Sequence, residues 1–273
     1  MKKGINIFSI PKMPWAEAFK LAKELGYDGV ELAMGDERGE INLNTTEEDA
    51  LKIKAIADEA GIELYSLMST IGFVYPMTSD DPDVRELGKK YVRKQLDIAA
   101  WLGCDTILIV PGYCALTWRK SEIVPYDVAY NRALEAVKEL APYAEEKKIN
   151  IGIENVGNRM FLSPLELRDF IDKVGSDYVG SYLDVGNMVQ FGYPDQWINI
   201  LGNRIKKVHF KDFSIATNSF VDLLAGDVNY PAVMEALKNI GYNDWCTAEM
   251  GFYKDYPQTL LKVTSLAMDE IFA

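Results

Sequence analysis

The chain has 273 residues, 48% of them apolar, and a formal net charge of −12. That acidity argues against nucleic acid or an anionic membrane as partner, because both select for Lys and Arg; a small anionic substrate needs only one local basic pocket and stays open. The apolar fraction suffices for a full core, and the length fits a single α/β-barrel domain of about 250 residues, here residues 1–273.

The opening Met1-Lys2-Lys3 resembles the charged start of an export signal. The apolar stretch from Ile5 to Ser9 is then ended by Pro11, Lys12 and Pro14, too short for such a signal. No run approaches the ~18 apolar residues of a membrane span, so we expect a cytoplasmic protein. Cys104, Cys114 and Cys246 are too scattered for a disulfide framework or a zinc site and read as reduced core thiols.

Eight strands are expected in chain order: Ile5 to Ser9, Gly29 to Ala33, Glu63 to Met68, Thr106 to Val110, Asn150 to Glu154, Val179 to Asp184, Ile205 to Phe210 and Trp245 to Met250. Each is followed by a helical pattern. Helix starts are legible at Pro14-Trp15, Thr46-Glu47-Glu48, Ser163-Pro164 and Tyr230-Pro231. A recurring junction of Gly, one residue, then Asp or Asn precedes four of the strands, at Gly26-Tyr27-Asp28, Gly103-Cys104-Asp105, Gly175-Ser176-Asp177 and Gly241-Tyr242-Asn243. Gly61 is a looser fifth copy. Physically this is a helix closed by a left-handed glycine cap and a short turn into a strand.

Strands alternating with helices imply a parallel sheet, and the count of eight favours closure into a (β/α)₈ barrel over an open doubly wound sheet. No glycine-rich phosphate fingerprint follows the first strand, which weakens a dinucleotide fold further and suggests no organic cofactor. The longest irregular pieces, Met34 to Asn44, Ser69 to Asp81, Gly112 to Tyr126 and Ser214 to Asn229, each follow a strand. In a parallel barrel they lie on the C-terminal face, where active sites are built.

Glu154, Asp184, His209 and Glu249 fall at the ends of the fifth to eighth strands, and His209 is the only histidine. Carboxylates at the polar ends of apolar runs are costly to bury unless a cation or hydrogen bonds compensate. An oxygen-rich set with one imidazole suits one divalent ion, Mn²⁺ or Mg²⁺ with Zn²⁺ also compatible, and not soft-ligand copper or iron–sulfur chemistry.

Ile153-Glu154-Asn155, Tyr182-Leu183-Asp184-Val185-Gly186, Val208-His209-Phe210-Lys211-Asp212 and Thr247-Ala248-Glu249, in this order and spacing, resemble the xylose-isomerase-like TIM-barrel superfamily of sugar isomerases and epimerases. The resemblance covers nearly the whole chain and is nearest to the ketose 3-epimerase and the hexulose- or pentulose-phosphate epimerase branches. It implies that Glu154, Asp184, His209 and Glu249 bind the metal, that the substrate is a ketose or ketose phosphate, and that the protein is a homodimer or homotetramer. The chemistry agrees: moving a stereocentre beside a ketone requires taking a carbon-bound proton, feasible near neutral pH when a cation stabilises the enediolate. Glu154 and Glu249, three strands apart, are placed to act as the two acid–base groups on opposite faces of the sugar.

Departures from the family pattern narrow the expectation. Asn187 stands where many members have His, resembling the phosphorylated-ketose branch, and is expected to contact substrate. Lys211 replaces the usual Arg after the histidine strand and shares the side-chain parity of His209, so it is a candidate substrate contact and a reserve base. Classical xylose isomerases and the multi-histidine DNA-repair relative are excluded by the single histidine. Arg159 and Arg119, on the correct face, are candidates for meeting a phosphate or hydroxyls, and Glu31 for a sugar hydroxyl. Trp15, Phe73, Tyr75, Tyr113 and Trp118 decorate the early loops. A metal-dependent dehydratase of a cyclic polyol and a non-catalytic sugar-binding barrel are the alternative functions.

Overall fold

The computed structural model describes residues 1–273. Eight parallel strands close into a barrel in the order β1-β10-β7-β6-β5-β4-β3-β2. They are β1 (Lys2–Asn6), β2 (Gly29–Met34), β3 (Glu63–Ser69), β4 (Thr106–Ile109), β5 (Asn150–Glu154), β6 (Val179–Asp184), β7 (Ile205–Phe210) and β10 (Trp245–Ala248). The helices between them are α1 (Trp15–Glu24), α2 (Glu47–Ala60), α3 (Pro82–Leu102), α4 (Tyr126–Lys147), α5 (Pro164–Val174), the single turn α6 (Val185–Met188), α7 (Pro194–Leu201), α8 (Tyr230–Asn239) and α9 (Gln258–Phe272). None is long and apolar enough to cross a membrane.

The local signals account for these boundaries. Thr46 and Asp49 form a reciprocal capping box at the start of α2, Asp81 caps α3, and Ser163 caps α5 ahead of Pro164. The junction glycines Gly26, Gly61, Gly103, Gly175 and Gly241 all have positive φ, between 69° and 84°, the conformation that ends a helix without a Cβ penalty.

The first strand differs from expectation. It begins at Lys2 and ends at Asn6, three residues early, and Ile7–Ser9 form a 3₁₀ turn. The Asn6 side chain accepts the Phe8 amide at 2.8 Å and so turns the chain out of the sheet, although the apolar run continues. A second difference lies in the loop after β7, where β8 (Asp212–Ser214) and β9 (Ser219–Val221) pair as an antiparallel hairpin. Asp212 organises the segment that follows by accepting backbone amides from Phe213, Leu224, Gly226 and Val228.

The N-terminal mouth of the barrel is sealed. Lys207, fully buried on β7, reaches Asp105 at 2.9 Å and Asp244 at 2.5 Å, both at strand starts. Tyr65 and Trp245 stack beside it with centroids 3.8 Å apart. The opposite, C-terminal mouth carries the long loops and a cleft that reaches down to Glu154 and Glu249.

Candidate metal centre and substrate cleft

Glu154 and Asp184 are the last residues of β5 and β6, His209 is the penultimate residue of β7, and Glu249 follows β10 directly. Asp184 and His209 are register partners across β6 and β7, and His209 pairs with Thr247, two residues before Glu249. Two residues restore the same face of a strand, so Glu249 points the way His209 does. One ligand atom from each of the four residues lies within 4.8 Å of the others.

Two atoms of this set are stranded without hydrogen-bond partners although fully buried: Asp184 Oδ2 and His209 Nδ1. The other end of each group is fixed. Asp184 Oδ1 accepts the Asn187 amide at 2.9 Å, and His209 Nε2 donates to Glu31 Oε2 at 2.8 Å. A carboxylate accepts only, so the ring proton lies on Nε2 and the lone pair of Nδ1 faces Glu249 Oε2 at 3.4 Å and Glu154 Oε1 at 3.7 Å. Buried polar atoms are rarely left unsatisfied. A divalent cation shared by Glu154, Asp184, His209 and Glu249 satisfies both, and the donor set of three carboxylates and one imidazole fits a hard or borderline ion.

The charges are unequal. Burial pushes the Glu154 carboxyl up to about 7. At Glu249 burial acts the same way, yet Lys211 and His209 outweigh it and hold this carboxylate well below its usual range. Lys211 Nζ lies 2.8 Å from Glu249 Oε2 and 3.5 Å from Asp184 Oδ2, and these acids, against the burial penalty, keep its ammonium charged. Burial works against a second proton on His209; Glu31 and the ligand carboxylates favour it, so a proton and a cation compete for Nδ1.

The residues expected in the site are placed unequally. Lys211 and Asn187 line the cleft above the four ligands. Asn187 Nδ2 is tied to the Asn155 carbonyl at 2.9 Å. Glu31 is corrected: it lies beneath the ligands, not beside a sugar. Its carboxylate is fully buried and accepts from Asn6 at 2.6 Å, Ser66 at 2.9 Å, Tyr182 at 2.5 Å and His209 at 2.8 Å, which leaves no face for substrate. Arg159 is exposed, in a left-handed turn at φ 57°, and is not part of the cleft wall. Arg119 is exposed and donates to the Phe73 carbonyl at 2.6 Å. Of the early-loop aromatics only Phe73 and Trp118 reach the cleft.

Sequence reasoning missed Asn155 and Gly186. Asn155 accepts the Asp184 amide and donates to its carbonyl, both at 3.1 Å, clamping the end of β5 to the end of β6. Its position directly after Glu154 was the available signal. Gly186 lets the chain pass Lys211: a Cβ there would sit 2.7 Å from the Lys211 carbonyl oxygen.

The cleft above the ligands has a volume of about 500 Å³. A model of the family described as "Xylose isomerase-like TIM barrel" matches residues 19–265. L-ribulose-5-phosphate 3-epimerase UlaE of Salmonella paratyphi A is 24% identical over 238 residues, covering 84% of this chain and 79% of the relative. Among solved structures, 3-keto-D-glucoside 4-epimerase YcjR from E. coli superposes with a TM-score of 0.81 at 17% identity, covering 100% of this chain and 99% of that one. D-psicose 3-epimerase from Clostridium cellulolyticum H10, crystallised with D-tagatose, gives 0.80 at 20% identity, covering 100% and 98%.

Proposed function

This chain belongs to the xylose isomerase-like TIM-barrel family, and from that premise we propose that it is a divalent-metal-dependent epimerase of a ketose or ketose phosphate, acting at C3. The observation that carries the proposal is the convergence of two stranded buried ligand atoms, Asp184 Oδ2 and His209 Nδ1, with Glu154 and Glu249 on the floor of one cleft. The names of the relatives support it: an L-ribulose-5-phosphate 3-epimerase by sequence and a D-psicose 3-epimerase by fold.

Glu154, Asp184, His209 and Glu249 hold the ion, with Mn²⁺ the best match to a set of three carboxylates and one imidazole. When bound, the ion supplies the positive charge that makes an enediolate accessible near neutral pH. The protein's own groups move the protons. Glu249, kept ionised by Lys211, is the base that takes the C3 proton from one face. Glu154 is the group that returns a proton to the other face. In the reverse direction the roles exchange. Asp184 and His209 act as ligands only, since their remaining atoms are held by Asn187 and Glu31. Lys211 keeps Glu249 charged and turned into the cleft.

Incubating a panel of ketoses and ketose phosphates with protein and Mn²⁺ in D₂O, followed by proton NMR, tests this. Loss of the C3 proton signal with appearance of the C3 epimer is expected. Exchange confined to C1, or loss of water from the substrate, contradicts it.

A further inference from the structure

The cleft is charged only at its floor. Of its 17 lining residues, Glu154, Lys211 and Glu249 alone carry charge, and Lys211 is already engaged by two carboxylates. No arginine lines it. Arg119 spends a guanidinium nitrogen on the Phe73 carbonyl, and the amides of Leu224, Gly226 and Val228 are consumed by Asp212. With an ion bound, its two charges and Lys211 together only offset the carboxylates of Glu154, Asp184 and Glu249, so a phosphate dianion brought here meets a floor with no net positive charge and neutral walls.

The upper walls are two supported aromatic pairs. Phe73 and Trp118, from the loops after β3 and β4, meet edge to face with centroids 5.2 Å apart. Phe213 and Phe220, from the hairpin after β7, do the same at 5.3 Å. In the closed strand order β7 lies four places from β3 and three from β4, so the pairs stand across the mouth from each other. In each pair the outer ring is half exposed, Trp118 at 53% and Phe220 at 49%. Both are braced: a Cβ at Gly157 would come within 3.3 Å of the Trp118 ring, and the Lys211 ammonium lies 4.6 Å from the Phe220 centroid. Exposed apolar surface rimmed by polar groups marks a ligand groove, and clefts of ~300–1,000 Å³ take drug-sized ligands, larger than one ketose.

We infer that the aromatic upper level is a second subsite, which takes an uncharged ring, such as a glycosyl group, attached to the far end of the ketose whose C3 lies at the carboxylates. The inference rests on the epimerase reading above and adds the substrate class: a neutral, extended ketose and not a phosphorylated one. Sugar C–H faces stack on Trp118 and Phe220 while Asn187, Gln190 and Ser219 offer neutral hydrogen bonds.

Three forms of one ketohexose test it in the Mn²⁺-loaded protein: the free 6-hydroxyl, the 6-phosphate and the 6-O-glucosyl form, read by C3 exchange in D₂O. The glucosyl form is expected to exceed the free sugar in kcat/KM by about tenfold, the worth of one stacked ring, with the phosphate below both. Trp118→Ala and Phe220→Ala, both at exposed positions, are expected to bring the glucosyl-to-free ratio down toward one. A phosphate form that is the best substrate, or a glucosyl-to-free ratio of one in the unaltered protein, overturns the subsite and leaves the epimerase reading standing. Absence of C3 exchange in every ketose offered, with metal bound, overturns both.

Discussion

Glu31 Oε2 lies 2.8 Å from His209 Nε2, in a pocket where both side chains are fully buried and the carboxylate also holds Asn6, Ser66 and Tyr182. The pairing fixes which imidazole nitrogen carries the proton and aims the other at the ligand carboxylates. A residue expected to touch sugar is therefore the anchor of the only histidine.

Replacing Glu31 with Gln puts an amide N–H₂ among four donors. We predict that divalent-ion affinity falls about 10-fold to 100-fold, as for outer partners of metal-binding histidines, and that the metal-free protein loses about 1–3 kcal/mol through an unmatched buried polar group. Mn²⁺ titration and urea unfolding measure the two effects. Unchanged affinity removes Glu31 from the centre.

Asp184→Asn and His209→Ala each delete one of the stranded ligand atoms. Both are expected to abolish most binding of a single divalent ion per chain while leaving the barrel folded. Elemental analysis after dialysis against Mn²⁺ gives the answer, and full occupancy in both variants contradicts the site.

Burial pushes the Glu154 carboxyl up to about 7. An ion bound through Glu154 displaces that proton, so below about pH 7 this group makes metal affinity rise with pH, and competition for His209 Nδ1 carries the rise further. The metal-free fold shows the opposite trend. Between the ordinary carboxylate range and about 7 the native chain keeps a proton that the unfolded chain has lost, so stability falls as pH rises through that window, by at most about 1.4 kcal/mol per pH unit. Glu154→Gln is expected to flatten both dependences. Mn²⁺ titrations and urea unfolding from about pH 5 to pH 8 read them; equal slopes in parent and variant point to another group.

At the sealed end of the barrel, Lys207→Met breaks the contacts to Asp105 and Asp244. Those acids are partly exposed and rehydrate, so the expected loss is about 1.5–3 kcal/mol, the range for hydrogen bonds to charged groups. Metal affinity should not change, because Lys207 lies two residues below His209 on the strand and faces the opposite mouth. A large loss of affinity in a folded variant shows that the two ends are coupled.

The barrel and the convergence of its four candidate ligands were legible because their signals are local. Gly-x-Asp or Gly-x-Asn junctions mark where four of the helices stop, and apolar, β-rich runs end at Glu154, Asp184, His209 and Glu249. What escaped depends on depth and on long-range pairing. Inward parity holds equally for Glu31 and Glu249, but β2 places Glu31 below the ligands, and no one-dimensional pattern encodes that layer. The end of β1 escaped because hydrophobicity runs on through Ile7 and Phe8 while a single Asn6 side chain turns the backbone. The hairpin from Asp212 to Val221 is stabilised by amides up to sixteen residues away from Asp212, beyond the reach of turn signals.

Glu154 and Glu249 carry the central claim, that two carboxylates serve the two faces of one enediolate. The direct measurement is C3 proton exchange in D₂O by Glu154→Gln and Glu249→Gln, each loaded with Mn²⁺ and given each of the two epimers. Each variant is expected to lose about 10²-fold to 10⁴-fold in epimerisation. Each is also expected to retain C3 exchange, without epimer formation, for one epimer only, and the two variants for opposite epimers. Variants that bind metal and substrate and still epimerise at the parent rate contradict the account and shift the base to Lys211.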